Sequence, residues 1–278
     1  MSEPLTAGLY LVATPIGNLG DLSPRAADTL RRAHRILAED TRVTGKLLAH
    51  IGAKAPMSRY DDHSSDRDRE TIIARLASEA IALVSDAGTP LISDPGFKLA
   101  RAAREAGRHV TTVPGPCAAI AALTLSGLPT DRFLFLGFLP AKAKARADAI
   151  AEIADVRATL VIYEGGPRLG DTLLALAAQL GSRDAAVTRE ITKLHEECVT
   201  GTLPHLAQRY ADDFPKGEIV IVVGPAREAE EVSDDELDSM LEAAMASLSP
   251  SRAAAEVAQR LGIPRKRAYA RALELARK

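Results

Sequence analysis

The sequence predicts an α/β protein: two α/β domains in succession, then a small helical domain. Three observations predict it. Short aliphatic runs alternate with helical patterns over the first 125 or so residues. Apolar runs then crowd closer together up to Val223, and a sharply acidic stretch precedes a basic, helix-patterned tail. Alternation of this kind implies a mostly parallel sheet with helices on both faces, whereas closely spaced strands imply a mixed sheet with hairpins.

The first strand is Leu9–Ala13, and Ser23-Pro24 opens a helix with an N-cap residue followed by proline at the first position. Arg35–Ala38 is the second strand, ending in Glu39-Asp40-Thr41-Arg42, and a third near Met57–Tyr60 ends in Asp61-Asp62-His63. Ile81–Val84 is an unbroken apolar run, the mark of a strand buried on both faces. Val110–Val113 is the fifth strand and ends in Pro114-Gly115-Pro116. Ser126–Thr130 reads as a hinge, so the boundaries expected are 1–127, 128–226 and 233–278. Strands of the second domain are expected at Phe133–Leu136, Thr159–Tyr163, Ala185–Thr188, His195–Val199 and Glu218–Val223. Three helices are expected after residue 233, with Gly262-Ile263-Pro264 turning between the last two.

Composition narrows the function classes. The chain has no Trp and only 4% aromatics, so its cores are aliphatic. Cys117 and Cys198 are too few for a zinc cluster or a disulfide scaffold, and no metal is expected. No apolar run is long enough to span a bilayer and the N-terminus carries no basic leader, so a cytoplasmic protein without membrane association is expected. Net charge is −2, which gives no global nucleic-acid signature. The charge is unevenly placed, however: residues 228–242 carry eight acids and no base, and residues 250–278 carry eight bases against two acids.

The most informative segment runs from Ser85 to Gly96, Ser-Asp-Ala-Gly-Thr-Pro-Leu-Ile-Ser-Asp-Pro-Gly. It joins a buried strand to a helix, at the carboxyl edge where open α/β sheets bind ligands. It lacks the lysine of a phosphate loop, and the chain has no G-x-G-x-x-G fingerprint, so the ligand expected carries no phosphate. The same residues also suit a tight structural turn.

Six blocks in order carry a family resemblance: Thr14–Asp21, Ala38–Arg42, Ser85–Gly96, Pro114–Ala119, Gly137–Lys142 and Arg189–Lys193. On them the chain resembles the tetrapyrrole-methylase superfamily of S-adenosylmethionine-dependent methyltransferases. Within it, the chain looks like the branch that methylates the ribose 2′-hydroxyl of a cytidine in 16S small-subunit ribosomal RNA. The resemblance implies two α/β domains clasping S-adenosylmethionine, a homodimer, and 16S rRNA or the small ribosomal subunit as partner. It places Pro15, Ser85, Asp86, Ala87, Gly88, Thr89, Leu91, Cys117, Ala118 and Tyr163 against the cofactor. One departure stands out. Where the branch carries a Tyr-Glu-Ser-Pro-His-Arg-Leu-like run, this chain has Tyr163-Glu164-Gly165-Gly166-Pro167-Arg168-Leu169, without the histidine.

A ribose hydroxyl needs a base, or a cation that stabilises its alkoxide, to become a good nucleophile. His63, beside Asp61 and Asp62, is one candidate base; Glu190 as base with Lys193 as alkoxide stabiliser is another. An exposed loop histidine and a surface ion pair are the plainer accounts of the same residues. In the tail, Ala254, Val257, Ala258 and Leu261, then Ala268, Ala272 and Leu275, give each of two helices an apolar stripe. Arg265, Lys266, Arg267 and Arg271 cluster at the second helix and suit RNA phosphates. A solvated tail that only packs on itself is the alternative. Two other functions remain open: methylation of a tetrapyrrole or other small molecule, and an RNA-binding ribosome-assembly factor.

Overall fold

The computed structural model describes residues 4–61, 64–212, 215–226, 234–261 and 265–276. They fall into two compact units, one ending at Ala226 and a second in the C-terminal tail. The first unit contains two five-stranded sheets.

In the first sheet, β1 (Gly8–Val12), β2 (Arg35–Ala38), β3 (Met57–Arg59), β4 (Ala80–Val84) and β5 (Val110–Val113) are all parallel, in the order β3-β2-β4-β1-β5. Alternate residues feed opposite faces. Tyr10, Val12, Ile36, Ala82 and Val84 pack with α1 (Pro24–Arg32) and α2 (Thr41–Ile51), while Leu9, Leu37, Ile81 and Leu83 pack with α3 (Asp66–Arg75) and α4 (Phe97–Glu105). Central strand β4 is buried at all five positions, which explains its continuous apolar run. Neighbouring strands β1 and β4 therefore send their following helices to opposite faces. That divergence opens a crevice at their carboxyl ends, the topological switch point where such sheets bind ligands.

Helix ends follow local chemistry. Ser23 accepts a hydrogen bond from Ala26 N at the start of α1. Asp40 does the same for Arg42 N at the start of α2, and Gly52 closes α2 at φ 68. Ser65 and Asp68 form a reciprocal capping box on α3.

The second sheet is mixed, as expected. Strands β6 (Phe133–Phe138), β7 (Thr159–Gly165), β8 (Asp184–Arg189), β9 (Glu197–Thr202) and β10 (Glu218–Val223) run in the order β6-β7-β10-β8-β9. Only the β6–β7 pair is parallel. One face packs on α6 (Ala143–Glu152), α7 (Leu169–Leu180) and α8 (Leu203–Arg209), helices additional to the expected strands. Leu169, Leu173, Leu176 and Leu180 supply the buried stripe of α7. The other face receives α5 (Ala118–Leu125), whose Ala119, Ala122 and Leu123 meet Val161, Ala186, Val220 and Val222. Helix α5 follows β5 of the first sheet but packs on the second, so the segment just before the expected hinge joins the two halves.

Several expected strand ends differ: Ala13 lies beyond β1, and β6 and β7 run on to Phe138 and Gly165. Tyr60 lies beyond β3, and β9 begins at Glu197 instead of His195. In the last case Glu190 and Thr192 adopt positive φ values of 52 and 65 and turn the chain out of the sheet until Glu197.

Helices α9 (Asp234–Met245), α10 (Pro250–Leu261) and α11 (Arg265–Leu275) make up the second unit. Leu237, Leu241, Ala254, Val257, Ala258, Ala268 and Ala272 form its core, along the two stripes expected from spacing. The expected Gly262–Pro264 turn lies outside the described residues.

At Gly166, which opens the turn between β7 and α7, a Cβ would overlap the Pro215 carbonyl. Gly166→Ala should therefore cost roughly 1–3 kcal/mol through overpacking. Gly52→Asn, at a left-handed helix end with open space around it, should stay within about 0.5 kcal/mol of the parent. Thermal unfolding of both variants checks the contrast.

Candidate functional site

The loop after β4 is tied to four other sequence blocks by direct contacts. Thr14 and Gly88 exchange backbone hydrogen bonds of 2.9 and 3.1 Å, joining the loops after β1 and β4 across the crevice. Asp86 Oδ1 accepts from Asp40 N at 3.0 Å, which links the loop to the end of β2. Thr89 Oγ1 donates to the Pro116 carbonyl at 2.9 Å. Ser93 abuts Gly137 at the end of β6. Among the described residues, Leu91, Ser93, Glu190 and Thr192 are the non-glycine positions with positive φ, at 73, 61, 52 and 65. All four lie in the loops after β4 and β8. Such conformations cost of order 1–3 kcal/mol each and cluster where binding geometry demands them.

Between the two sheets these loops enclose a cavity of about 350 Å³, within the range of small-molecule sites. From the loop after β4 it is lined by Asp86, Ala87, Gly88, Thr89, Ile92, Ser93 and Asp94. Cys117 and Ala118 contribute at the start of α5, and Tyr163, Glu164 and Gly165 at the end of β7. Ile16, Glu39, Phe138 and residues 217–220 complete the wall. Five carboxylates line it (Glu39, Asp86, Asp94, Glu164 and Glu218), and no Lys, Arg or His among the described residues does. A wall of this charge suits a cationic ligand and rejects phosphate.

Two of the acids differ in kind. Glu164 is buried and satisfied: Arg168 pairs with it at 3.0 Å, Thr172 Oγ1 donates at 2.6 Å and Gly165 N at 2.8 Å. The network braces the β7–α7 turn, where Pro167 stands in place of the resemblance's histidine. Asp94 is half-buried and faces like charges. Burial pushes its carboxyl up to about 6, and Glu39, Asp86 and Glu218 add to the rise while Ser85 opposes it.

Of the ten residues expected at the cofactor, Asp86, Ala87, Gly88, Thr89, Cys117, Ala118 and Tyr163 come together on the wall. Pro15, Ser85 and Leu91 do not. Ser85 is buried and donates to the Gly88 carbonyl at 3.1 Å, Leu91 packs toward the core beneath α4, and Pro15 is half-buried between Thr14 and the lining residue Ile16. They shape the wall from behind. The Tyr163 hydroxyl accepts from Ala119 N at 3.2 Å, capping α5 where Cys117 offers no side-chain cap. Burial, with Cys117 alongside, raises its proton affinity well above that of an ordinary phenol.

Glu190 and Lys193 form an ion pair at 2.8 Å, with side chains 22% and 32% exposed. They border a small recess that shares Ile16, Ala118, Glu218 and Val220 with the main cavity. The Lys193 stem lies on Gly17, where any Cβ would collide with it, and Glu190 lies on Gly217 in the same way. Thr192 Oγ1 donates to Asp21 at 2.7 Å, fixing the turn to the loop after β1. His63 and Asp62 lie outside the described residues. Asp61 pairs with Arg59 at 2.9 Å.

In the helical unit, Arg271 holds Asp238 with two hydrogen bonds of 2.6 and 2.7 Å and Glu274 with one of 2.7 Å. Arg267 reaches Asp234 at 3.2 Å. Both cations are thus engaged by acids of their own unit, whereas Lys266 is exposed and Arg265 makes a 3.4 Å contact with Ser251 Oγ. The sequence revealed both the basic cluster and the acidic run, but not that Asp234 and Asp238 of α9 pair with Arg267 and Arg271 of α11. Glu218 and Phe138 carried no site signal in the sequence, because no local motif sets a strand end from one sheet against a loop from the other; Asp94 lay in the Ser85–Gly96 segment, but its acidic neighbours were not legible there.

Because the folded pKa of Asp94 lies above that of a free carboxyl, the neutral acid contributes stability below pH about 4 that is lost as pH rises through about 6. A cation in the cavity favours the ionised form, so its affinity should rise over that same interval. Asp94→Asn should flatten both dependences; thermal midpoints and calorimetric binding between pH 4 and 7.5 check this.

Residues 8–207 match the family Tetrapyrrole (Corrin/Porphyrin) Methylases, and residues 231–276 match the RsmI C-terminal HTH domain. Ribosomal RNA small subunit methyltransferase I of Erythrobacter litoralis is 55% identical over 99% of this chain and 97% of the relative. The protein of the same name from Escherichia coli O157:H7 is 45% identical over 96% of this chain and 94% of the relative. Among solved structures, uroporphyrin-III-C-methyltransferase from Thermus thermophilus covers 78% of this chain and 94% of its own at TM-score 0.57 and 22% identity. Diphthine synthase covers 78% and 89% at TM-score 0.62 and 16% identity, so both share the fold. No described helix is long and apolar enough to cross a membrane. With its switch-point cavity, its two sheets and matched sequence over most of its length, the chain belongs to the tetrapyrrole methylase family.

Proposed function

We propose that this protein transfers a methyl group from S-adenosylmethionine to the ribose 2′-hydroxyl of a cytidine in 16S ribosomal RNA. The observation that carries the reading is near-full-length similarity, helical unit included, to proteins named ribosomal RNA small subunit methyltransferase I. The cavity supports the cofactor by its chemistry. S-adenosylmethionine bears a sulfonium and an ammonium and no phosphate, and when bound it supplies an already activated methyl group. Asp86, Asp94 and Glu218 would hold the cationic part, while Ile16, Ile219 and Val220 offer apolar surface to the base.

The protein's own work is alignment and proton handling. Alignment alone lowers such barriers by several kcal/mol. The loops after β4 and β8, held by their contacts to other segments, would fix the direction of approach. Glu190 Oε is the proposed proton acceptor, and the Lys193 ammonium, paired with it at 2.8 Å, would stabilise the developing alkoxide. Both sit beside the cavity on a turn held by Thr192 and Asp21. His63 remains a second candidate base. Arg265 and Lys266 are the proposed RNA phosphate contacts. Arg267 and Arg271 are also proposed there, but reach phosphate only if RNA displaces Asp234 and Asp238. We place the enzyme in the cytoplasm as a homodimer; light scattering tests the latter.

Methyl-labelled S-adenosylmethionine with undermodified small ribosomal subunits, followed by nuclease mapping, tests the reaction. One 2′-O-methylcytidine in 16S rRNA is expected. Unlabelled subunits despite cofactor binding would favour a small-molecule substrate, and absent cofactor binding would favour an assembly factor. Glu190→Ala and Lys193→Ala should each lower kcat by roughly 10²-fold with cofactor affinity unchanged. Turnover equal to the parent would remove both from the chemistry. Charge reversal at Arg265 and Lys266 should weaken RNA binding and reduce its log–log salt slope by about 1–2, with cofactor binding intact.

A further inference from the structure

The end of β6 is irregular. Its register against β7 shifts between Phe135 and Gly137. Gly137 takes φ 61, and a Cβ there would stand 2.9 Å from Ser93 Oγ. The loop after β4 thus presses on a bulge that glycine alone suits, and bulges beside active sites commonly re-aim the next side chain. Here the re-aimed side chain is Phe138. It pairs with Tyr163, ring edge to face at 5.6 Å, while Phe135 braces the same tyrosine at 4.9 Å. Phe138 lines the cavity yet is 58% exposed.

An apolar ring held firmly at a cavity mouth, more than half in solvent, contributes little to the core. Four and six residues further on, Lys142 and Lys144 are both exposed at the start of α6. An exposed ring followed by nearby cations matches the chemistry of an unstacked nucleotide, a planar base carried on an anionic backbone.

Resting on the function proposed above, we propose that Phe138 is the platform on which the base of the nucleotide being methylated stacks, so that its ribose lies over the cavity. The role is one of substrate positioning, and a ring face is what it requires. Phe138→Tyr should retain activity, whereas Phe138→Leu keeps the apolar bulk without the ring and should lose roughly 10–100-fold in kcat/KM for the ribosomal substrate, mainly through KM. Calorimetric affinity for S-adenosylmethionine and the oligomeric state should match the parent in both variants. Because the ring is largely exposed, neither change should unfold the protein; if Phe138→Leu does, Phe138→Met replaces it.

Unchanged kcat/KM in the leucine variant would overturn the proposal. A parallel loss of cofactor affinity would overturn it too, making the Phe138 ring a contact of the cofactor itself, and a changed oligomeric state would make it a subunit contact. Failure of the parent reading is distinguishable, since there the unaltered protein itself would leave undermodified subunits unlabelled.

Discussion

The reciprocal backbone pair between Thr14 and Gly88 is the constraint on which the rest of the site depends. It joins two loops that diverge to opposite faces of the first sheet, exactly where that divergence opens a crevice. Gly88 meets the geometry at φ 85, with Ile16 so close that a Cβ would stand 3.1 Å from it. On either side of this clasp the loop after β4 meets Asp40 through Asp86, Pro116 through Thr89 and Gly137 through Ser93. Each contact fixes one wall, so a segment with little regular structure is held at several points.

Charge then decides what such a cavity can hold. Five carboxylates line one volume with no described Lys, Arg or His on its wall, and such crowding of like charge carries an electrostatic cost. Asp94 registers the cost in its raised proton affinity. A cationic ligand relieves that repulsion. Glu164 escapes it by pairing with Arg168 and Thr172, and so serves the framework.

Strain is distributed in the same spirit. The described positive-φ residues other than glycine fall in the two loops that bound the cavity and its side recess. The turn at 190–193 is held by Thr192 on Asp21, by Lys193 on Gly17 and by Glu190 on Gly217. Gly17 and Gly217 thus prove to be seats for charged side chains distant in the chain.

Much of the architecture was legible in the sequence, because strands, caps and helix stripes are local patterns. The buried run of β4, the Ser23 cap and the stripes of α10 and α11 follow from hydrophobic period and capping chemistry alone. The conformation of the loop after β4 was not legible, although its place and its lack of phosphate-binding groups were. What only the tertiary structure decided is which side chains meet. It set Pro15, Ser85 and Leu91 behind the wall, brought Asp94, Glu218 and Phe138 onto it, and turned Arg267 and Arg271 toward their own acidic helix. The physical reason is range. Period and capping act within a few residues, whereas burial, repulsion between carboxylates and the fit of a glycine beneath a lysine arise between segments that come together only when the chain has folded.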